Sequence, residues 1–170
     1  MPLVLLTGGA RSGKSRLALD LAEREGAPVV FLATGEAGDD EMADRIARHR
    51  AERPSDWQTV EEPIALAAAL EAAPDTACVV VDCLSLWVAN LLERGDEDVE
   101  QQAAAAAAIA AARGAKTIAV SNEVGLGVVP ATPLGRAYRD VLGRVNAIWA
   151  DAAEEAYFVV AGKALRLGVV

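Results

Sequence analysis

Gly8-Gly9-Ala10-Arg11-Ser12-Gly13-Lys14-Ser15 satisfies the pattern G-x-x-x-x-G-K-[ST] at every fixed position. Glycines let successive backbone N–H groups converge on phosphate oxygens, and a helix that follows presents its positive end to the same anion. In that arrangement Lys14 places a point charge on the outer phosphates, and Ser15 offers a hydroxyl to a magnesium ion. The competing reading is a glycine-rich turn that happens to fit. Position argues against it, because the motif falls between an aliphatic run, Leu3 to Thr7, and a helical pattern carried by Leu17, Ala18, Leu21 and Ala22. A second acid belongs to the same chemistry. Cys78-Val79-Val80-Val81 ends in Asp82, whose carboxylate can hold magnesium opposite Ser15 or, alternatively, cap the helix that starts near Leu84.

His49 is the only histidine. On a helix counted from Asp40 it shares a face with Met42 and Ile46, with Arg45 and Arg53 one turn to either side. Arg45, Arg48, Arg50 and Arg53 form the densest basic patch of a chain whose formal net charge is -9. Guanidinium groups suit phosphate recognition, so His49 is a candidate nucleophile beside a nucleotide. The alternative is a histidine at the core edge of a solvated helix whose arginines pair with Glu41, Asp44 and Glu52. Periodicity alone favours that second reading.

The elements that must position these groups follow from the spacing of apolar residues. Leu3 to Thr7, Val29 to Ala33, Cys78 to Asp82, Thr117 to Ser121 and Tyr157 to Ala161 read as strands, most of them aliphatic enough to be covered on both faces. Gln58 to Glu61 reads as a further strand, and Leu165 to Val169 as a hairpin partner across Gly162. Helices are expected after the glycine-rich motif, from the N-cap candidates Asp39 and Asp40 to about Glu52 ahead of Pro54, from Ile64 to Ala73, from Leu84 to Leu92, through the alanine-rich run Gln101 to Ala112, and from Leu134 to about Glu154. Strands alternating with helices imply a mostly parallel sheet with helices on both faces, a three-layer α/β fold. Ligands of such sheets bind at the carboxyl ends of the strands, which puts the loops after Thr7, Ala33, Asp82 and Ser121 on one rim. Asn122 and Glu123 on that rim either position substrate or water, or cap the following loop.

Composition narrows the partners. At 170 residues and 53% hydrophobic content, the chain suits one core, and a single domain over 1–170 is expected. The acidic balance argues against a nucleic-acid partner. Met1 to Thr7 lacks the basic start of a signal peptide, and no stretch approaches the ~20 apolar residues of a membrane span, so a cytoplasmic protein is expected. Cys78 and Cys83 read as buried thiols rather than a disulfide or zinc framework.

The glycine-rich motif resembles one family when taken with Asp40-Glu-Met-Ala-Asp-Arg-Ile-Ala-Arg-His49, Arg53-Pro54 with Trp57, Asp82-Cys-Leu-Ser-Leu-Trp-Val-Ala-Asn90, and Ser121-Asn-Glu-Val-Gly125 with Gly127 and Pro130. That family is the bifunctional adenosylcobinamide kinase/adenosylcobinamide-phosphate guanylyltransferase of cobalamin biosynthesis, and the similarity runs from Leu3 to about Gly162. It implies a RecA-like P-loop fold assembled as a homotrimer. It implies two reactions: phosphorylation of the aminopropanol hydroxyl of adenosylcobinamide by ATP or GTP, and transfer of GMP from GTP to adenosylcobinamide phosphate through a guanylylated histidine. The matching histidine is His49. By the same matching, Gly8, Gly9, Ala10, Arg11, Ser12, Gly13, Lys14 and Ser15 bind the triphosphate, and Ala33, Thr34 and Gly35 line the nucleotide site. Arg50, Ala51, Glu52, Arg53 and Glu61 contact the guanine nucleotide, and Asp82 sits near a Mg2+ ion shared with Ser15. The chain departs from the family pattern at Ala164, where a proline is expected, and in the short stretch from Glu93 to Glu100. A P-loop small-molecule kinase without the guanylyl step, and a nucleotide-dependent switch, are the competing functions.

Overall fold

The computed structural model describes residues 3–38, 40–51 and 53–168, with nothing stated for the side chains of Met42 and Arg45. Asp39 and Glu52 therefore lie outside the described residues, as does the expected end of the last strand at Val169. In chain order the elements are β1 (Leu3–Gly8), α1 (Lys14–Arg24), β2 (Val29–Ala33), α2 (Asp40–Ala51), β3 (Gln58–Glu61), α3 (Leu66–Ala72), β4 (Cys78–Asp82), α4 (Leu84–Glu93), α5 (Val99–Ala112), β5 (Thr117–Asn122), α6 (Pro133–Ala152), β6 (Glu155–Val160) and β7 (Lys163–Leu167). The strands form one sheet in the order β3-β2-β4-β5-β1-β6-β7. Every pairing is parallel except that of β6 with β7.

Alternation along the strands sends successive side chains to opposite faces. Leu3 and Leu5 join one core with Leu66 and Leu70 of α3, Trp87 and Leu91 of α4, the small face of α5 and Trp149 of α6. Val4 and Leu6 join the other, with Ala18 and Ala22 of α1 and with Phe31, Cys83 and partly buried Trp57. Helices thus cover both faces, giving the three-layer α/β P-loop architecture. One strand, β5, separates the strand that feeds the glycine-rich motif from the strand that ends in Asp82.

Local chemistry moves some boundaries from the sequence reading. The third helix starts at Leu66 rather than Ile64, because the Glu62 carboxylate accepts from the Ile64 and Ala65 N–H groups just before it. Pro133 is the first residue of α6, and the Thr132 hydroxyl caps it by accepting from Gly135 N–H. Asp40 is the first helical residue of α2 rather than its cap. The last hairpin turns at Ala161–Gly162, both at positive φ (50° and 72°), the combination a two-residue turn requires.

Candidate active site

The phosphate loop and the acid stand at the carboxyl ends of neighbouring strands of the sheet, β1 and β4, with β5 between them. The chain leaves β1 at Gly8 with φ +152°, where a Cβ would lie 2.2 Å from the Val159 carbonyl oxygen of the neighbouring β6. Only glycine passes so close to the adjoining strand. The loop then turns through Arg11 (φ 54°) and Gly13 (φ 102°), and α1 begins at Lys14. Gly9, Ala10 and Arg11 are exposed, whereas Ser12 and Lys14 are buried. The Lys14 ammonium donates to the Gly9 carbonyl at 2.6 Å, and the hairpin turn braces the loop from behind through Gly162 N–H to Ser12 O at 2.9 Å. The result is a cradle of backbone N–H groups at a helix N-terminus with a lysine folded across it, a geometry suited to a triphosphate.

β4 delivers Asp82 to the same rim, between Ala33 of β2 and Val120 of β5 in register. The Asp82–Cys83 peptide is cis. The Asp82 side chain is only 14% exposed, and this burial raises its pKa above the ordinary carboxyl range. Four groups oppose that rise: His49, a hydrogen bond from the Ser15 hydroxyl, Arg53 and Lys14. A desolvated carboxylate facing Ser15 fits a divalent cation held between them with nucleotide phosphates. Among the described residues no cluster of three or more His, Cys, Asp or Glu side chains could hold a metal by itself.

α2 carries His49 over this carboxylate, with Nδ1 4.0 Å from Asp82 Oδ2 and the side chain 35% exposed. Gly35 packs beneath α2, where even a Cβ would make only ordinary van der Waals contact with Leu86 and Ile46. Two of the arginines reach away from the helix. Arg50 bonds Glu61 at the end of β3 (2.8 Å), and Arg53, beyond the end of α2, stacks 3.7 Å over the Phe31 ring while donating to the Thr59 hydroxyl at 3.2 Å. Burial lowers the Arg53 pKa. Beside α2 opens a cleft of about 920 Å³, lined among others by Gly35, Ile46, Ala47, Arg50, Ala51 and Glu61.

Most residues that the sequence singled out thus converge on one rim, Glu52 lying outside the described residues. Thr34 is placed differently from expectation. It is fully buried, and its hydroxyl both accepts from Cys83 N–H (2.9 Å) and donates to the Cys83 carbonyl (2.7 Å). Its side chain therefore clamps the turn after Asp82 instead of lining an open site. Asn90, which closes the Asp82–Asn90 motif without an assigned role, secures that clamp by donating to the carbonyls of Thr34 (2.7 Å) and Pro63 (3.1 Å). The available signal was an amide on the apolar face of α4. Of Asn122, which ends β5, and Glu123, which follows it, Glu123 takes the capping role, its carboxylate accepting from Gly125 N–H at 2.6 Å. Cys78 and Cys83 are free and buried, with burial pushing each thiol up to about 11, so neither is a ready nucleophile.

Known proteins share this chain nearly end to end. The profile of a family described as cobinamide kinase / cobinamide phosphate guanyltransferase matches residues 4–167. The bifunctional adenosylcobalamin biosynthesis protein CobP of Pseudomonas aeruginosa is 46% identical over 96% of this chain and 95% of its own length. The bifunctional adenosylcobalamin biosynthesis proteins CobU of Salmonella typhimurium and Escherichia coli are 40% and 39% identical, each over 97% of this chain and 99% of their own. The cradle, the buried carboxylate and the histidine helix accordingly fall inside the matched region, and the chain belongs to the cobinamide kinase / cobinamide phosphate guanyltransferase family.

Proposed function

We propose that this chain phosphorylates adenosylcobinamide and then guanylylates the product, with His49 as the covalent carrier of GMP in the second reaction. In the first, the aminopropanol hydroxyl attacks the γ-phosphorus of ATP or GTP seated on Gly8 to Ser15, loses its proton, and displaces the nucleoside diphosphate. Lys14 and the loop N–H groups hold the charge that builds on the phosphates. In the second, an imidazole nitrogen of His49 attacks the α-phosphorus of GTP, a P–N bond forms, and the bond to pyrophosphate breaks. An oxygen of adenosylcobinamide phosphate then attacks the same phosphorus, the P–N bond breaks, and the imidazole is returned as adenosyl-GDP-cobinamide leaves. Because Nδ1 faces Asp82, the attacking nitrogen is Nε2.

Asp82 and Ser15 would hold a Mg2+ ion, which when bound supplies charge neutralisation on the phosphates. Arg50, Ala51 and Glu61 line the cleft that suits the guanine nucleotide, and Arg53 adds positive charge near its phosphates. Resemblance to the family supports a homotrimer of single-domain chains in the cytoplasm; no described helix is long and apolar enough to cross a membrane.

The observation that carries the proposal is the placement of His49 beside the carboxylate that Ser15 and Lys14 also address. GTP labelled at the α-phosphate should leave acid-labile label on the wild-type chain and none on His49→Ala. Label persisting on that variant would remove His49 from the reaction, and cobinamide phosphorylation without any label on wild type would leave a kinase alone.

A further inference from the structure

Residues 124–135 contain no charged side chain, in a chain that is 24% charged. Within them Leu126 is 79% exposed, Val128 96% and Val129 61%, with Leu134 following at 62%. Contiguous exposed apolar side chains of this kind mark a surface that meets a ligand or partner. The segment is not slack. Glu123 caps Gly125, Thr132 caps Gly135, and Arg136 donates to the carbonyls of Pro130 and Ala131, both at 3.0 Å.

Both ends are tied to the nucleotide site. Upstream, Glu123 N–H donates to the carbonyl of Gly8, the first glycine of the cradle, at 2.9 Å. Downstream, the Tyr138 hydroxyl donates to the Ser85 carbonyl at 3.1 Å, three residues after Asp82. The apolar segment therefore rises from β5, between the strand that feeds the cradle and the strand that ends in Asp82. α2 and His49 approach Asp82 from another element, alongside the cleft that Gly35 and Glu61 line.

A phosphate acceptor must present its hydroxyl to the outer phosphate, between Lys14 and Asp82, while its bulk rests on a neighbouring surface. With no cation in residues 124–135, that surface suits a neutral, apolar body rather than a second anion. A corrin ring, broad, methyl-bearing and edged by neutral amides, has this chemistry. We propose that the segment from Val124 to Leu134 is the seat of the corrin, with Leu126, Val128 and Val129 as its contact and specificity-determining residues. The assignment rests on the kinase reading above.

The test is the double variant Val128→Ser/Val129→Ser, with Leu126→Ser as a second variant, assayed for phosphorylation of adenosylcobinamide. The KM for the corrinoid should rise roughly tenfold or more, as expected for withdrawing two valines that the bound ring would cover. The KM for nucleotide, the label left by α-labelled GTP and the sedimentation coefficient should not move. An unchanged corrinoid KM in both variants overturns the proposal. A change in sedimentation coefficient also overturns it, assigning the face to a second copy of this chain. Equilibrium dialysis of wild type with dicyanocobinamide separates the two readings. Corrinoid bound weakly by the variants but never phosphorylated by wild type sinks the kinase reading and keeps the seat, whereas no corrinoid bound sinks both.

Discussion

Nδ1 of His49 stands 4.0 Å from Oδ2 of Asp82, and the same carboxylate is addressed by the Ser15 hydroxyl, Arg53 and Lys14. One buried acid thereby joins the phosphate cradle, built on β1 and α1, to the histidine carried by α2. Two reactions that need a triphosphate in one place, one acting at its γ-phosphorus and the other at its α-phosphorus, can share a single anchor of this kind.

That anchor is costly to the fold. Burial raises the Asp82 pKa above its unfolded value, so the folded state binds the proton more tightly. Its contribution to stability is therefore greatest below the unfolded pKa and declines as pH rises through the folded one. At neutral pH the ionised form is disfavoured, and Asp82→Asn should raise Tm by a few degrees, with the gap narrowing in acid. The same variant should lose both activities by roughly 100-fold or more, as expected for a missing metal-side carboxylate. Thermal melts from pH 4 to 8 beside the two assays check both halves, and a lower Tm at pH 7 would contradict the argument.

The cradle was legible in the sequence because all its determinants lie within eight consecutive residues, Gly8 to Ser15, between a strand and a helix that each announce themselves. The strands were legible for the same reason, being continuous aliphatic runs. The approach of His49 to Asp82 was not, because it depends on where α2 crosses the end of β4, which no local pattern encodes; the resemblance to a family supplied a role for the histidine but not its place. Spacing put Thr34 on the rim, where it lies, but could not show that its hydroxyl is taken by Cys83, 49 positions away. The start of α3 slipped for a smaller reason, a carboxylate at Glu62 occupying N–H groups that an alanine-rich run would otherwise carry into the helix.

The adjacent glycines Gly8 and Gly9 should respond oppositely to alanine. A Cβ on Gly8 meets the Val159 carbonyl at 2.2 Å at a backbone angle few side chains adopt, whereas one on Gly9 meets nothing within 4 Å. Gly8→Ala should lose about 2 kcal/mol or more of stability. Gly9→Ala should melt like wild type yet bind nucleotide less tightly, because the new methyl enters the space that phosphates on the proposed cradle would occupy. Denaturant titration and nucleotide titration of the two variants separate fold from function at neighbouring positions.

Arg53 makes its contact through a planar group stacked over Phe31. A lysine keeps the charge but neither the stacking plane nor the second donor that reaches Thr59. Arg53→Lys should therefore cost about 1 kcal/mol of stability. It should also slow label transfer from GTP more than it slows corrinoid phosphorylation, since Arg53 lies nearer to α2 than to the acceptor side. Equal losses in the two assays would place the side chain at the shared phosphates instead.

Thr34 offers the sharpest separation of a positioning residue from a lining one. Its hydroxyl serves the Cys83 N–H and carbonyl together, and its own N–H donates to the Asp82 carbonyl at 3.2 Å. Valine has the same shape without the oxygen, so Thr34→Val strands the buried Cys83 N–H, while the Cys83 carbonyl keeps the Trp87 N–H, and should cost about 1–3 kcal/mol. Serine keeps the oxygen and loses a methyl, which should cost about 1 kcal/mol. With the turn loosened, the Asp82 carboxylate loses its fixed aim, and Thr34→Val should lower kcat in both reactions even at temperatures where the variant is fully folded, whereas Thr34→Ser should retain most of it. A side chain that touched nucleotide instead would leave the melting temperature unmoved and raise the nucleotide KM. Thermal melts beside the two KM values for each variant therefore decide between clamp and contact.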